Sequence, residues 1–189
     1  MTSFNKIIIS NYKSNDLYYS VGVSSSTGKV VKISLPNPNK RKANAEIINS
    51  YPNFEFSNAY EDIAREISKI YEGKKTNLKL DMLELNVDKS NRDLPVKSSF
   101  QKDVLVETYK IPYGEVATYK SLAEKLKTRA YRAVGTVMAN NPFPLIIPCH
   151  RVVKSDLTIG QYGGGPKMKR EILKNEGVNL KGDKIIKTC

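Results

Sequence analysis

The stretch TYKSLAEKLKTRAYRAVGTVM, residues 118–138, decides the fold of the C-terminal half of this chain. Thr118 can cap one short helix, and Thr128 can cap a second helix directly after it. Apolar residues recur at helical spacing in both parts, at Tyr119, Leu122, Ala123 and Leu126 and then at Ala130, Ala133, Val134, Val137 and Met138. Two short amphipathic helices with a tight connection indicate a helix-turn-helix, although helical hairpins with no role in DNA binding share the pattern. Arg129, Arg132 and Thr136 lie off the second apolar stripe, where they could face DNA.

The segments around this stretch also favour helices. Ser98 begins a predicted helix that runs to about Lys110, where Ile111-Pro112 stops it. Pro166 suits the first turn of a last helix, residues 167–176, which Gly177 ends. A glycine-rich loop, residues 160–165, precedes that helix and lacks the spacing of a phosphate-binding P-loop.

The N-terminal half has a different character. Residues 17–23 and 29–35 predict two strands of a hairpin, residues 83–87 alternate as a further strand, and residues 43–49 predict a short helix. Ser57 can cap a second helix that ends at Gly73. Residues 88–95 are the best candidate linker. We therefore predict an α/β N-terminal domain with a small antiparallel sheet, residues 1–93, and a mainly α C-terminal domain containing the helix-turn-helix, residues 94–189.

The composition excludes several classes of protein. The chain has 189 residues, two cysteines (Cys149 and Cys189) and one histidine, which excludes a disulfide-rich secreted scaffold and makes a structural zinc site improbable. No apolar run approaches the roughly 20 residues of a membrane span, and Ile7-Ile8-Ile9 is too short for a signal peptide. We expect an intracellular, reducing location.

The net charge of +12 favours a polyanionic partner such as nucleic acid, although a lysine-rich solvated surface would give the same number. Its distribution is uneven. Residues 1–95 carry 14 basic and 11 acidic side chains, whereas residues 96–189 carry 17 and 8. Residues 125–154 contain six basic side chains and no acidic one, which fits a binding face in the C-terminal half.

The sharpest chemical feature is LIIPCHRVV, residues 145–153, which sets Cys149 beside the only histidine, His150. An arbitrary pair of this kind is usually a buried, inert cysteine with an incidental histidine. The basic surroundings and the glycine-rich loop favour a reactive thiol instead, and predict a lowered pKa for Cys149. Cys189, at the frayed C-terminus, is a poor nucleophile.

Several motifs together resemble one family. They are Pro148-Cys-His-Arg-Val152, Ile111-Pro-Tyr-Gly-Glu-Val-Ala-Thr-Tyr119, Arg132-Ala-Val-Gly135, Asn141-Pro-Phe-Pro144, Tyr162-Gly-Gly-Gly165 and Leu173-Lys-Asn-Glu-Gly177. In order and spacing they resemble the O6-alkylguanine-DNA alkyltransferases, also called methylated-DNA–protein-cysteine methyltransferases, over about residues 97–178. The resemblance implies a ribonuclease H-like N-terminal domain.

The resemblance implies irreversible, single-turnover transfer of an alkyl group from guanine O6 in DNA, and less efficiently from thymine O4, to Cys149. His150 would be the general base, acting through a water. Glu176 would orient His150, although without the resemblance its position favours a solvated carboxylate at a helix end. Asn141 would complete the hydrogen-bond network. Tyr119 would crowd the target phosphate and donate to guanine N3, although its spacing also fits core packing.

The resemblance further implies how DNA is held. The second helix would enter the minor groove, and Arg132 would fill the stack that the flipped base leaves, although a phosphate contact or solvation would also explain an arginine there. The expected DNA-binding residues are Thr118, Tyr119, Arg129, Arg132, Ala133, Thr136 and Arg151. The expected pocket residues are Met138, Pro144 and Tyr162, together with the backbone of Val153, Ile159 and Gly163.

Some expectations concern partners and limits. Some relatives have serine where this chain has Gly163, so only backbone N–H groups would reach O6 there. Residues 1–93 contain no Cys or His, so we expect no metal, and no cofactor is needed because the damaged DNA donates the alkyl group. We expect a monomer that binds double-stranded DNA containing alkylated guanine, does not bind membranes, and works in the cytoplasm, or in the nucleus of a eukaryote. The alternative is a non-catalytic helix-turn-helix protein that recognises lesions or regulates genes.

Overall fold

The computed structural model describes residues 6–88, 91 and 93–186. An N-terminal sheet domain is built from β1 (Ile7–Ser14), β2 (Leu17–Ser24), β3 (Val30–Asn37) and the short β4 (Phe54–Phe56), in the order β3-β2-β1-β4. β1, β2 and β3 pair antiparallel, as predicted, and β4 pairs parallel with β1. Asn15 and Asp16 join β1 to β2 with positive φ angles, which suit a tight hairpin turn.

Two helices pack on this sheet, α1 (Lys40–Ser50) and α2 (Glu61–Tyr71). The predicted cap of α2 is wrong, because the helix begins three residues later than a cap at Ser57 requires and Tyr60 precedes it. Ser57 instead holds the entering loop, where its hydroxyl accepts from the backbone N–H of Ala59 and its carbonyl accepts from Ser10. Gly73 ends the segment with a φ of +74°.

The predicted strand over residues 83–87 is also wrong. A 3₁₀ turn, Leu80–Met82, leads to a single bridge between Leu83 and Val30, and the chain then leaves the sheet. Leu83 is fully buried, and Leu85 and Val87 pack half-buried against the same core. Glu84 beside Leu83 is only 3% exposed, so the alternation of residue types marks neither a paired strand nor a single buried face.

The C-terminal domain is mainly helical, with α3 (Ser99–Tyr109), α4 (Tyr119–Lys125), α5 (Tyr131–Ala139) and α6 (Gly165–Asn175). Ser98 caps α3 as predicted, and Thr118 caps α4 in a reciprocal capping box with Ser121. Ala130 precedes α5, so the predicted cap at Thr128 is two residues early. α3, α4 and α5 pack on one another. Short strands β5 (Ala117–Thr118) and β6 (Val152–Val153) pair parallel, and β7 (Leu180–Lys181) pairs with β8 (Lys184–Ile185).

The two domains share one hydrophobic cluster, which runs from Val21 and Ile33 in the sheet to Leu105 and Val134 in the helices. The edge strand β3 also touches the C-terminal domain directly, because the backbone N–H of Ile33 donates to the carbonyl of Pro142 at 2.8 Å. A boundary between residues 93 and 94 and a ribonuclease H-like topology stay predictions. No helix in the described ranges is long and apolar enough to cross a membrane.

Candidate active site

Cys149 lies on a 3₁₀ turn, Cys149–Arg151, between Pro148 and β6. Because β6 pairs with β5 through Ala117–Val152 and Thr118–Val153, the turn is held beside the start of α4, where Tyr119 lies. The pKa of Tyr119 is raised by burial and by the charge of Cys149, so the two side chains interact. Cys189 lies outside the described residues.

His150 and Glu176 meet in the protein interior, as the resemblance implies. Nε2 of His150 is 3.0 Å from Oε1 of Glu176, and the two residues are 0% and 3% exposed. Glu176 is brought there by its place at the C-terminal end of α6, with Gly177 turning the chain away at a φ of +82°. If Nε2 carries the proton that it shares with Glu176, Nδ1 is left as a free base. Nδ1 has no hydrogen-bond partner within the described part of the chain.

The electrostatics fix the charge states of this pair. Burial lowers the pKa of His150, and the hydrogen bond that His150 donates to Glu176 opposes the shift without reversing it, so the imidazole is neutral at neutral pH. Burial alone would raise the pKa of Glu176. The hydrogen bonds from His150 and Arg151 outweigh it and lower that pKa to about 2. A neutral imidazole held by a carboxylate is suited to accept a proton.

The prediction that Arg151 binds DNA is wrong. Its Nε and Nη2 donate to Oε2 and Oε1 of Glu176 at 2.9 and 2.7 Å, and its Nη1 donates to the carbonyl of Ile111 at 2.7 Å. Only 11% of its side chain is exposed. The guanidinium is therefore an internal brace for Glu176.

The predicted lowering of the Cys149 pKa is wrong as well. Cys149 is 7% exposed, and burial raises its pKa above the ordinary value, while a hydrogen bond from Asn141 and the charge of Lys169 act in the opposite direction. The charge that lowers the pKa comes from Lys169, which lies outside the basic stretch of residues 125–154. Thiolate formation in this site requires a base.

Lys169 is a residue that the sequence reasoning missed. It is 0% exposed, and its Nζ donates to the carbonyl of Val152 at 2.6 Å. Burial lowers its pKa to about 8, and the charge of Cys149 raises it in turn. A signal was present, because Lys169, Ile172, Leu173 and Glu176 occupy i, i+3, i+4 and i+7 of α6, which is the spacing of a buried stripe.

Asn141 has the networked position that the resemblance implies. Its Nδ2 donates to the carbonyl of Ile147 at 3.0 Å, and its Oδ1 accepts from the backbone N–H of Phe143 at 2.9 Å. It thereby closes the loop that precedes Cys149, and its side chain also helps to lower the pKa of the thiol.

A cavity of about 300 Å³ opens on Cys149. Its wall includes seven residues expected at the site, which are Tyr119, Met138, Asn141, Pro144, Cys149, Tyr162 and Gly163. It also includes five that were not expected, which are Leu35, Glu46, Gly135, Ala139 and Gln161. The Tyr162 hydroxyl is buried without a hydrogen-bond partner in the described ranges, and burial raises its pKa well above the usual value. It remains a neutral donor for a ligand.

Val153 and Ile159 are absent from the cavity wall, and their expected backbone contact with the substrate stays a prediction. They pack with Leu173, Val178 and Ile185 in a separate hydrophobic cluster. The backbone N–H of Ile159 is also committed, since it donates to the carbonyl of Asp183 at 2.9 Å. Within the described ranges, no three His, Cys, Asp or Glu side chains gather as a metal site.

The outer surface of α5 is basic and open. Arg129, Arg132 and Thr136 are exposed, as predicted, and Ala133 is half-buried. The Thr136 hydroxyl donates to the carbonyl of Arg132, and the Thr118 side chain is occupied as the cap of α4. Tyr131, which the sequence reasoning did not single out, adds an aromatic ring that is 40% exposed beside Arg132.

Comparison with known proteins agrees with this geometry. Residues 99–178 match the family model described as 6-O-methylguanine DNA methyltransferase, DNA binding domain. A methylated-DNA–protein-cysteine methyltransferase of Methanosarcina barkeri is 37% identical over 123 residues, 65% of this chain and 71% of that protein. One from Methanothermobacter thermautotrophicus is 41% identical over 103 residues, 54% of this chain. The chain spans 58% of that relative's length.

A solved structure agrees over nearly the whole length. The O6-methylguanine-DNA methyltransferase of Pyrococcus kodakaraensis superposes with a TM-score of 0.66 at 26% identity, covering 91% of this chain and 99% of that one. The sheet domain and the helical domain therefore both have counterparts in that fold. By the Methanosarcina relative and by the arrangement around Cys149, the chain belongs to the methylated-DNA–protein-cysteine methyltransferase family.

Proposed function

We propose that this protein repairs DNA by moving an alkyl group from O6 of guanine to Sγ of Cys149. The sulfur attacks the alkyl carbon in line, so a carbon–sulfur bond forms while the carbon–O6 bond breaks. Guanine is the leaving group, and the proton that the thiol loses ends on the restored base. The product thioether is not undone by any step of this reaction, so each molecule acts once. The observation that carries the proposal is a cysteine on a cavity wall next to a His150–Glu176 pair.

His150 is the proposed general base. Because burial raises the Cys149 pKa, the thiol needs a proton acceptor, and the neutral imidazole supplies one at Nδ1, by way of a water. Glu176 then stabilises the imidazolium that forms. Its pKa of about 2 supports this role, since it stays ionised throughout the neutral range.

The cavity supports an extrahelical base as the substrate. Guanine O6 lies inside the stacked duplex, so the nucleotide must leave the helix to reach Cys149. We propose that Tyr119 donates to N3 of guanine and that the Tyr162 hydroxyl and the backbone N–H of Gly163 serve the O6 side. Thymine alkylated at O4 is a slower substrate in this scheme.

The exposed face of α5 is the proposed DNA surface. It enters the minor groove, where Arg132 fills the space that the base leaves and Arg129 and Thr136 contact the backbone. The excess of basic residues in the C-terminal half supports a polyanionic partner. Every group in the scheme comes from one chain, so we propose a monomer, working in the cytoplasm or in a eukaryotic nucleus.

Intact mass after incubation with a duplex containing O6-methylguanine tests the proposal. We expect a gain of one methyl group that maps to Cys149, its absence in Cys149→Ala, and its retention in the matched control Cys189→Ala. Tight binding of the lesion with no change of mass would overturn alkyl transfer and favour the non-catalytic recognition protein. A methyl group on Cys189 would overturn the choice of nucleophile.

A further inference from the structure

Part of the cavity wall comes from the N-terminal domain. Leu35 on β3 and Glu46 on α1 line the same cavity as Cys149, although the family model begins only at residue 99. Glu46 is exposed, whereas Leu35 is half-buried. The remaining wall residues lie between Tyr119 and Gly163. One apolar side chain from outside the matched region therefore helps to shape the site.

Leu35 is held in this position by the way β3 meets the C-terminal domain. The hydrogen bond from Ile33 to Pro142 joins the strand edge to the loop that contains Asn141 and Pro144, both on the cavity wall. Leu35 follows two residues later, where the pairing of β3 with β2 is irregular between Ser34 and Asn37. β2 pairs with the other edge of β3 at residues 32–34, so the segment that leads into Leu35 is held on both sides.

Leu35 also approaches Gly163 closely. A Cβ placed on Gly163 would lie 3.2 Å from Cδ1 of Leu35, which is tighter than an ordinary contact between carbon atoms. The leucine side chain thus occupies the space that a side chain at position 163 would need. Gly163 follows Tyr162, whose unpartnered hydroxyl lies at the site.

We propose that Leu35 sets the size of the O6 substituent that the cavity accepts. The inference rests on the proposed function, because it concerns the group that is transferred to Cys149. In-line attack fixes the alkyl carbon next to Sγ, so anything larger than methyl must extend from that carbon into the remaining volume. With the base inside a cavity of about 300 Å³, an aryl substituent competes with the Leu35 side chain for space, whereas a methyl group does not.

Competition between free O6-benzylguanine and free O6-methylguanine tests the proposal without a contribution from DNA binding. We expect Leu35→Ala to raise the benzyl-to-methyl rate ratio by about tenfold or more, and Leu35→Phe to lower it. Leu17→Ala is the matched control, because Leu17 is a half-buried leucine of the same sheet that does not line the cavity. Its ratio should equal that of the wild type.

A second variant tests the contact itself. Gly163→Ala should lower the benzyl rate, because the new methyl group meets Leu35, and Leu35→Ala combined with Gly163→Ala should restore it. If Leu35→Ala does not fold, Leu35→Phe and Gly163→Ala decide the question. An unchanged ratio in the folded variants overturns the role of Leu35. Wild-type protein that reacts with neither base, nor with alkylated duplex, overturns the proposed function instead.

Discussion

Lys169 donates a 2.6 Å hydrogen bond to the carbonyl oxygen of Val152, and the whole lysine side chain is enclosed. The charge of this lysine lowers the pKa of Cys149, against the larger effect of burial. We predict that Lys169→Met raises the pKa of the thiol further. Alkyl transfer at pH 7 should slow by about tenfold for each unit of that rise. The pH–rate profile should move to higher pH, whereas the exposed control Lys167→Met should leave it in place.

Burial of Lys169 should also change how the free energy of unfolding depends on pH. Its folded pKa of about 8 lies below the ordinary value of 10.5, so the cost of burying the charge is fully present below pH 8 and disappears as the pH rises toward 10.5. The wild-type free energy of unfolding should therefore rise relative to Lys169→Met between pH 8 and 10.5, by about 3 kcal/mol in total. Denaturant titrations at several pH values measure it. A difference in the free energy of unfolding that stays constant with pH would show that the pKa of Lys169 is not lowered.

Glu176→Gln should slow alkyl transfer by about a hundredfold, since it removes the negative charge that stabilises the His150 imidazolium. It should also destabilise the protein at pH 7, because Arg151 loses its buried counter-charge. Glu61→Gln removes a carboxylate from an exposed pair and should change neither property measurably.

The difference in stability between wild type and Glu176→Gln should depend on pH in a definite direction. The folded pKa of Glu176 is about 2 against an ordinary 4.5, so its contribution to stability is present above pH 4.5 and is lost as the pH falls toward 2. The stability gap between wild type and Glu176→Gln should close over that window. A gap that persists at pH 2 would contradict the assigned ionisation.

Replacing Arg151 should mainly lower stability, whereas replacing Arg132 should mainly slow the reaction with duplex DNA. Arg151→Ala leaves the Glu176 charge buried with one partner fewer, and it should lower the free energy of unfolding by about 3 kcal/mol. Arg132→Ala removes an exposed side chain and should change stability by less than about 0.5 kcal/mol. In reaction rates, Arg132→Ala should slow repair of duplex DNA while sparing free O6-benzylguanine. Equal losses with both substrates would remove the proposed finger role.

Gly73 in the N-terminal domain lies against Asn175, next to Glu176 of the candidate active site. A Cβ at Gly73 would lie 2.0 Å from the carbonyl oxygen of Asn175, the residue before Glu176, and the Tyr113 hydroxyl lies within hydrogen-bond distance of the carbonyl oxygens of both Gly73 and Asn175. Gly28 has a similar φ, +68°, but its Cβ would meet nothing within 4 Å. Gly28→Ala should cost about 1 kcal/mol of stability from backbone strain alone.

Gly73→Ala should cost clearly more than Gly28→Ala, and it should also slow alkyl transfer, because the displaced backbone carries Glu176. Chemical denaturation and single-turnover rates on both variants measure the two effects. Equal stability losses in the two variants would mean that the close approach at Gly73 relaxes without consequence.

Local pattern predicted most of the elements but not their partners. The spacing in residues 118–138 and the Gly177 terminator placed α4, α5 and α6 to within a few residues, because capping and periodicity are local properties. The Cys149, His150 and Glu176 assignment came from the resemblance, since nothing in the spacing brings residues 26 positions apart together. The strand predicted over residues 83–87 failed because alternation in the sequence cannot tell whether a neighbouring strand is present.

The errors at the site have a common cause. Arg151 was assigned to DNA because a sequence shows a charge but not the carboxylate that neutralises it, and the Cys149 pKa was misjudged because burial is a tertiary quantity. Leu35 could not have been found at all, since its place in the wall depends on how two domains dock. Lys169 could have been found, because a lysine on a buried helical stripe is an anomaly in the pattern itself.

The hydrogen bond from Ile33 to Pro142 has a consequence for how the protein can be divided. β3 is an eight-residue edge strand rich in Val, Ile and Leu, and the helical domain covers part of that edge. A fragment cut in the linker would present the strand to its own copies, which is the geometry of sheet-to-sheet aggregation. The helical domain thus covers part of a strand edge that the sheet domain alone would expose.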